Sequence, residues 1–249
     1  MKKSTSLVAL AASTAAFVAA LAVPSVALAD LSFNVGAVSD YRYRGISQSR
    51  LKPAVQGGAD WSAGPFYVGV WASTIKWIDD ANPSSSNKVE IDIYGGYKGE
   101  IVKDLAYDVG ILAYQYPGHK LATSPNTTEI YGALTFGPAT LKYSHSVTNL
   151  FGFADSKNSS YVDLSASFEV GPVMVAPHLG YQKVAKNGDF SYTDYSLIVS
   201  KEVVKGLTVS GGLVGADTKS IAGTKAYASP ANGKDLGKAG AVVGVKYVF

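Results

Sequence analysis

The sequence predicts an all-β protein: a transmembrane antiparallel up-and-down β-barrel of about twelve strands, with short periplasmic turns and long extracellular loops. Three observations predict it. Apolar and polar residues alternate with period two from Leu31 to Phe249, and the 3.6-residue pattern of an amphipathic helix is missing there. Tight and long connections alternate strictly along the chain. Beyond the N-terminal segment no stretch reaches the ~18 uncharged apolar residues of a membrane helix, so any span must be made of strands. The composition agrees: of 249 residues 47% are hydrophobic and only 16% are charged, against ~25% charged in ordinary soluble domains. The absence of Cys removes a disulfide framework, a thiolate nucleophile and every Cys-ligated metal site.

Residues 1–29 read as a cleaved secretory signal peptide. Lys2 and Lys3 form a positive start, Leu7 to Val23 an apolar run rich in Ala, and Ala27-Leu28-Ala29 a small-residue cleavage step before Asp30. The expected organisation is therefore 1–29 signal and 30–249 a single outer-membrane barrel domain. Cleavage removes two of the three net positive charges, which leaves no electrostatic footprint for nucleic acid.

The predicted strands are Leu31–Tyr43, Ala54–Trp61, Phe66–Ser73, Lys88–Tyr97, Leu105–Tyr116, Thr128–Phe136, Ala139–Val147, Tyr161–Val170, Val173–Gln182, Tyr192–Lys201, Leu207–Ala216 and Ala239–Phe249. The fourth shows the pattern best, with Val89, Ile91, Ile93 and Tyr97 on one face and Lys88, Glu90, Asp92 and Tyr94 on the other. Gly64-Pro65, Gly137-Pro138 and Gly171-Pro172 close three tight turns, and short links near Gly99–Lys103 and Val203–Gly206 close two more. Long polar connections lie between them, the asymmetry of a barrel with both termini in the periplasm. Aromatics gather at strand ends: Trp61, Phe66, Tyr97, Phe136, Phe168 and Phe249 toward the short-turn rim, and Tyr41, Tyr43, Tyr116 and Tyr143 toward the other. Such rings favour the two membrane interfaces.

With the apolar parity facing lipid, the opposite parity supplies the lumen: Asp40, Arg42, Arg44, Asp60, Glu90, Asp92, Asp108, Glu129, Lys142, Asp163, Glu169, His178, Asp194 and Lys246. An acidic excess, if wet, favours cations; alternatively the two signs neutralise each other across the lumen. Inward Tyr67, Trp71, Tyr94, Tyr114 and Tyr131 have the bulk to fill much of a twelve-stranded interior. Arg42 and Arg44 beside Asp40 form either a charged constriction or a network that pins the first loop and closes the mouth.

No enzyme chemistry is expected. The three His, at 119, 145 and 178, lack metal-cluster spacing, and no metal or cofactor is predicted. Ser144 and His145 are adjacent but point to opposite faces of a strand. The Gly-Gly pairs at 57, 95 and 211 have no following helix to cradle phosphate.

Val243, Val245, Tyr247 and terminal Phe249 resemble the C-terminal insertion signal of outer-membrane barrels. The block Ser39-Asp40-Tyr41-Arg42-Tyr43-Arg44-Gly45-Ile46-Ser47-Gln48-Ser49 resembles the N-terminal signature of the TorF-type porin family, the Gcw conserved hypothetical outer-membrane proteins. Pro53–Gly57, Tyr67–Ser73, Glu90–Tyr97 and Tyr114–Gly118 follow the same pattern in order. The resemblance implies a bacterial outer-membrane porin passing small ions or solutes, with outer-membrane lipid, periplasmic chaperones and the barrel-insertion machinery as partners. The alternatives are a non-conducting barrel binding a partner through its extracellular loops and, less favoured, an outer-membrane hydrolase.

Overall fold

The period-two alternation becomes the wall of a closed barrel in the computed structural model, which describes residues 29–249. The predicted signal peptide lies outside the described residues except for Ala29. The wall strands are β1 (Asp30–Val38), β4 (Ala54–Ala63), β5 (Phe66–Thr74), β6 (Val89–Val102), β7 (Leu105–Gln115), β8 (Thr127–Phe136), β9 (Ala139–Ser146), β10 (Ser160–Ala166), β11 (Phe168–Val170), β12 (Val173–Lys183), β13 (Tyr192–Val204), β14 (Leu207–Asp217) and β17 (Gly240–Val248). Three short pieces fall between them: β2 (Arg42–Tyr43) with β3 (Ile46–Ser47), β15 (Ser220–Ile221) with β16 (Thr224–Lys225), and helix α1 (Trp77–Ala81). Both β10 and β11 pair with β12, and Ser167 between them keeps its N–H on Pro138 O at 3.0 Å. They are one interrupted strand, so the wall has the predicted twelve positions.

Every neighbouring pair is antiparallel, and β1 meets β17 from Asn34↔Val248 to Val38↔Gly244. Phe33 and Phe249 then exchange both backbone hydrogen bonds, at 2.8 and 3.0 Å. Closure leaves no free sheet edge, which is what allows strands to stand in an apolar solvent. The outer face requires that solvent: Phe33, Val70, Ile93, Ile111, Leu134, Leu164, Leu197 and Val245 are all exposed, and outward apolar side chains recur around the wall in a belt far beyond what water-soluble surfaces carry. Val243, Val245, Tyr247 and Phe249 belong to it.

The short-turn rim carries exposed Trp61, Phe66, Tyr97, Phe136, Phe168 and Phe249, as the parity requires. At the long-loop rim Tyr143 is exposed, joined by Tyr181 and Tyr195, but Tyr41, Tyr43 and Tyr116 are buried. The first strand is correspondingly shorter than predicted. It ends at Val38, where Ser39 makes a last rung with Val243 (N–H to O, 2.9 Å) before the chain folds inward. At the other rim β6 and β13 run beyond Tyr97 and Lys201, each ending in a register shift that adds one residue.

Inward tyrosines sit over glycines of the adjacent strand. Tyr67 faces Gly96, Tyr94 faces Gly69 and Tyr131 faces Gly110 in register. A Cβ on Gly69 would lie 2.4 Å from the Tyr94 ring, and one on Gly110 would lie 2.5 Å from the Tyr131 hydroxyl. The missing side chain is therefore the space the ring occupies. Gly69→Ala should cost about 1–3 kcal/mol by overpacking, whereas Gly132→Ala, whose Cβ would meet only Val109 at 3.9 Å, should stay within about 0.5 kcal/mol. Urea unfolding of the two variants in lipid vesicles checks the difference.

Candidate functional site

The long-loop half of the lumen is filled by the chain's own first loop. Between Arg42–Tyr43 and Ile46–Ser47 the chain reverses through Arg44 (φ 46°) and Gly45 (φ 78°), a two-residue turn with both residues left-handed. That geometry matches the right-handed twist of the paired strands and favours Gly at the second position. Here Gly is needed twice over, since a Cβ would also sit 2.6 Å from Gly215 O.

The turn carries Arg44 to the opposite wall. Its Nη1 and Nη2 donate to Glu129 Oε1 and Oε2 at 3.0 and 2.7 Å, and Nη1 also donates to Gln182 Oε1 at 2.6 Å. The guanidinium lies 4.1 Å from the Tyr161 ring centroid and 4.8 Å from that of Tyr43. A planar fork suits this combination of a bidentate carboxylate and stacked rings better than an ammonium would. Arg42 makes a different bond. Its Nε donates to Asp40 Oδ2 at 2.7 Å and its Nη1 to Lys238 O at 2.8 Å, which ties the hairpin to the start of β17. Asp40 Oδ1 accepts from Ser47 and Ser49 at 2.5 and 3.1 Å. Each arginine therefore has its own carboxylate, Asp40 for Arg42 and Glu129 for Arg44.

Aromatic packing completes the plug. Tyr41 stands edge-on to Trp71 at 5.5 Å and donates to Glu90 Oε1 at 2.5 Å, while Tyr116 donates to Glu90 Oε2 at 2.7 Å. Tyr43 and Tyr114 bond through their hydroxyls, and Phe151 closes on both rings. The tyrosines that sequence placed at the outer interface instead hold the hairpin inside.

The remaining predicted lumen residues do not form a single cluster. Asp60 and Asp108, deeper in the barrel, accept from Tyr94 and Tyr67 at 2.5 and 2.6 Å. Asp163 and Asp194 flank His178, with Nδ1 2.8 Å from Asp163 Oδ2 and Nε2 2.8 Å from Asp194 Oδ1; Tyr161 donates to Asp194 Oδ2 at 2.9 Å. Asp92 is buried at 3% exposure, and its Oδ1 has no hydrogen-bond partner among the described residues. Lys142 Nζ lies 3.8 Å from the Tyr131 ring centroid. Glu169 stands apart, exposed in β11 beside the short-turn rim, because the wall strand is interrupted there. Among the described residues no group of His, Asp and Glu forms a metal-ion site.

Sequence reasoning missed the lid above the plug. Arg50 Nε donates to Asp80 Oδ2 at 2.6 Å, and Asp80 Oδ1 accepts from Ser229 Oγ and Ala231 N at 3.0 and 3.1 Å. One carboxylate on α1 thus joins three long loops that are distant in sequence. Burial pulls the Arg50 guanidinium down from its ordinary value, and Asp80 opposes that. Tyr161 and Gln182 were missed as well; their inward parity was their only signal.

These features define a closed twelve-stranded transmembrane barrel plugged by an inward hairpin. A family model described as "Bacterial protein of unknown function (Gcw_chp)" matches residues 24–249. The chain belongs to that family. No curated protein matches it. Similar solved structures include a chain from a study of in-meso crystallization of membrane proteins, 6% identical, covering 88% of this chain and 83% of that one, with TM-score 0.48. A porin refined at 1.8 Å is 16% identical, covering 79% and 62%, with TM-score 0.37. OccAB3 of Acinetobacter baumannii is 13% identical, covering 89% and 64%, with TM-score 0.41. This chain spans less than two thirds of the last two.

Two outcomes are expected. Arg44→Met leaves Glu129 buried and unpaired and should cost about 3–5 kcal/mol in unfolding free energy, much of it recovered by adding Glu129→Gln. Asp80→Ala should raise amide exchange about tenfold or more in 76–88 and 226–236 while the wall strands stay protected, since only the lid opens.

Proposed function

We propose that this protein is an outer-membrane channel whose resting state is closed by its own Asp40–Ser49 segment, and that it passes small ions or solutes when that hairpin yields. The observation that carries the reading is the hairpin itself. The inward loop is tied at its tip by Arg44 to Glu129 and Gln182 and at its base by Asp40, with Tyr41, Tyr43 and Ile46 packed in apolar clusters, and it stands where a solute would have to pass. The TorF-type porin resemblance of that same block, and its export by a cleaved signal of residues 1–29, belong to this reading. The short-turn rim then faces the periplasm.

A second reading, a non-conducting barrel that recruits a partner through its loops, is favoured by one feature. The Asp80 node holds three loops in a fixed arrangement before any partner arrives.

Planar-bilayer recording separates them. Wild type should give small, infrequent steps, and Arg44→Ala and Glu129→Ala should each give larger and more frequent ones because the plug loses its wall anchor. Heat-modifiable, inserted barrels of all three that stay silent would overturn the channel reading and favour the loop-binding one.

A further inference from the structure

The carboxylates outnumber the cations in the lumen, yet a cavity beside the plug is lined the other way. A small cavity partly open to solvent lies against Tyr43, Arg44, Tyr114, Lys142, Ser144 and Tyr161, with Leu112 as its apolar patch. Two cations line it and no carboxylate does. Arg44 is already committed to Glu129 and Gln182. Lys142 makes no hydrogen bond and no ion pair among the described residues: the Tyr131 ring lies against its ammonium, and Asp108, Glu129 and Asp163 act on it through space.

The nearby carboxylates are engaged elsewhere. Asp163, opposite Lys142 in the β9–β10 register, lies 2.8 Å from His178 Nδ1. Asp108 accepts from Tyr67 at 2.6 Å, and Glu129 is held by Arg44. Ser144 lies two residues from Lys142 on the same inward face of β9 and makes no side-chain hydrogen bond in the described structure. Lys142 and Ser144, neither hydrogen-bonded through its side chain among the described residues, therefore line one cavity together with the rings of Tyr43, Tyr114 and Tyr161.

We propose that this cavity is a binding site for a small carboxylate anion. The ammonium of Lys142 takes one carboxylate oxygen in a charge-assisted hydrogen bond, Ser144 Oγ donates to the other, and the short apolar tail rests on Leu112 and the tyrosine rings. The site lies immediately against the plug, so an occupant touches Arg44 and Tyr43, the residues that hold the hairpin in place. The local preference is opposite to the cation preference that the lumen's overall charge suggests. The inference holds whether or not the barrel conducts.

The test is binding rather than current, so a silent bilayer leaves it intact. Protein purified from membranes in a neutral maltoside detergent is titrated with ¹³C-labelled acetate, and the line broadening of the free acetate resonance is followed to saturation. Wild type should show saturable broadening. Lys142→Met, which keeps length and removes charge, should weaken binding about tenfold by deleting the charge-assisted bond. Lys142→Arg should keep it within about threefold, since the charge remains. Heat-modifiable migration establishes that each variant is folded. No saturable broadening with the folded wild type, or an unchanged dissociation constant in folded Lys142→Met, overturns the proposal.

Discussion

Closure of the strand ladder is the constraint on which everything else rests. In an apolar solvent an unpaired N–H or C=O has nothing to bond, so the wall stands only if the first and last strands find each other. The β1–β17 seam does this, and the reciprocal Phe33–Phe249 bonds carry it to the last residue. Once the backbone is satisfied within the wall, the two faces are free to diverge. The outer face can be apolar without gaps and the inner face can hold charge.

The charged interior then has to satisfy its polar groups. A recurring solution is visible across the lumen: a tyrosine hydroxyl donates to a carboxylate, as in Tyr94–Asp60, Tyr67–Asp108, Tyr41–Glu90 and Tyr161–Asp194. The phenol supplies both a ring that fills space and a donor that satisfies the oxygen. The glycines opposite several of these rings are the other half of the arrangement, since each leaves open the space that its facing ring occupies.

The plug uses the same chemistry with one difference, which is that its anchors are ionic and lie at a turn tip. Burying Arg44 is favourable only because Glu129 and Gln182 accept hydrogen bonds from it. Such contacts are specific, and they are also the kind that a competing anion or a displaced loop can exchange for others. The Asp80 node above it adds a second polar latch, joining α1 to the first and last long loops.

The wall was legible in the sequence because it depends on a strictly local property. Side chains alternate faces in every strand, so Val89, Ile91 and Ile93 against Glu90, Asp92 and Tyr94 declare the orientation of β6 without reference to any neighbour, and Gly-Pro steps declare where strands turn. Tertiary structure alone decided where the first loop goes. Parity carried the first strand on through Tyr43 and set Tyr41 and Tyr43 against lipid, but Asp40 finds Ser47, Ser49 and Arg42, and Arg44 finds Glu129 across 85 positions of chain. The same holds for Tyr116, which reaches Glu90, and for Asp80, whose partners lie in two other loops. Alternation is written residue by residue, whereas a buried ion pair between distant segments exists only once the barrel has brought them together.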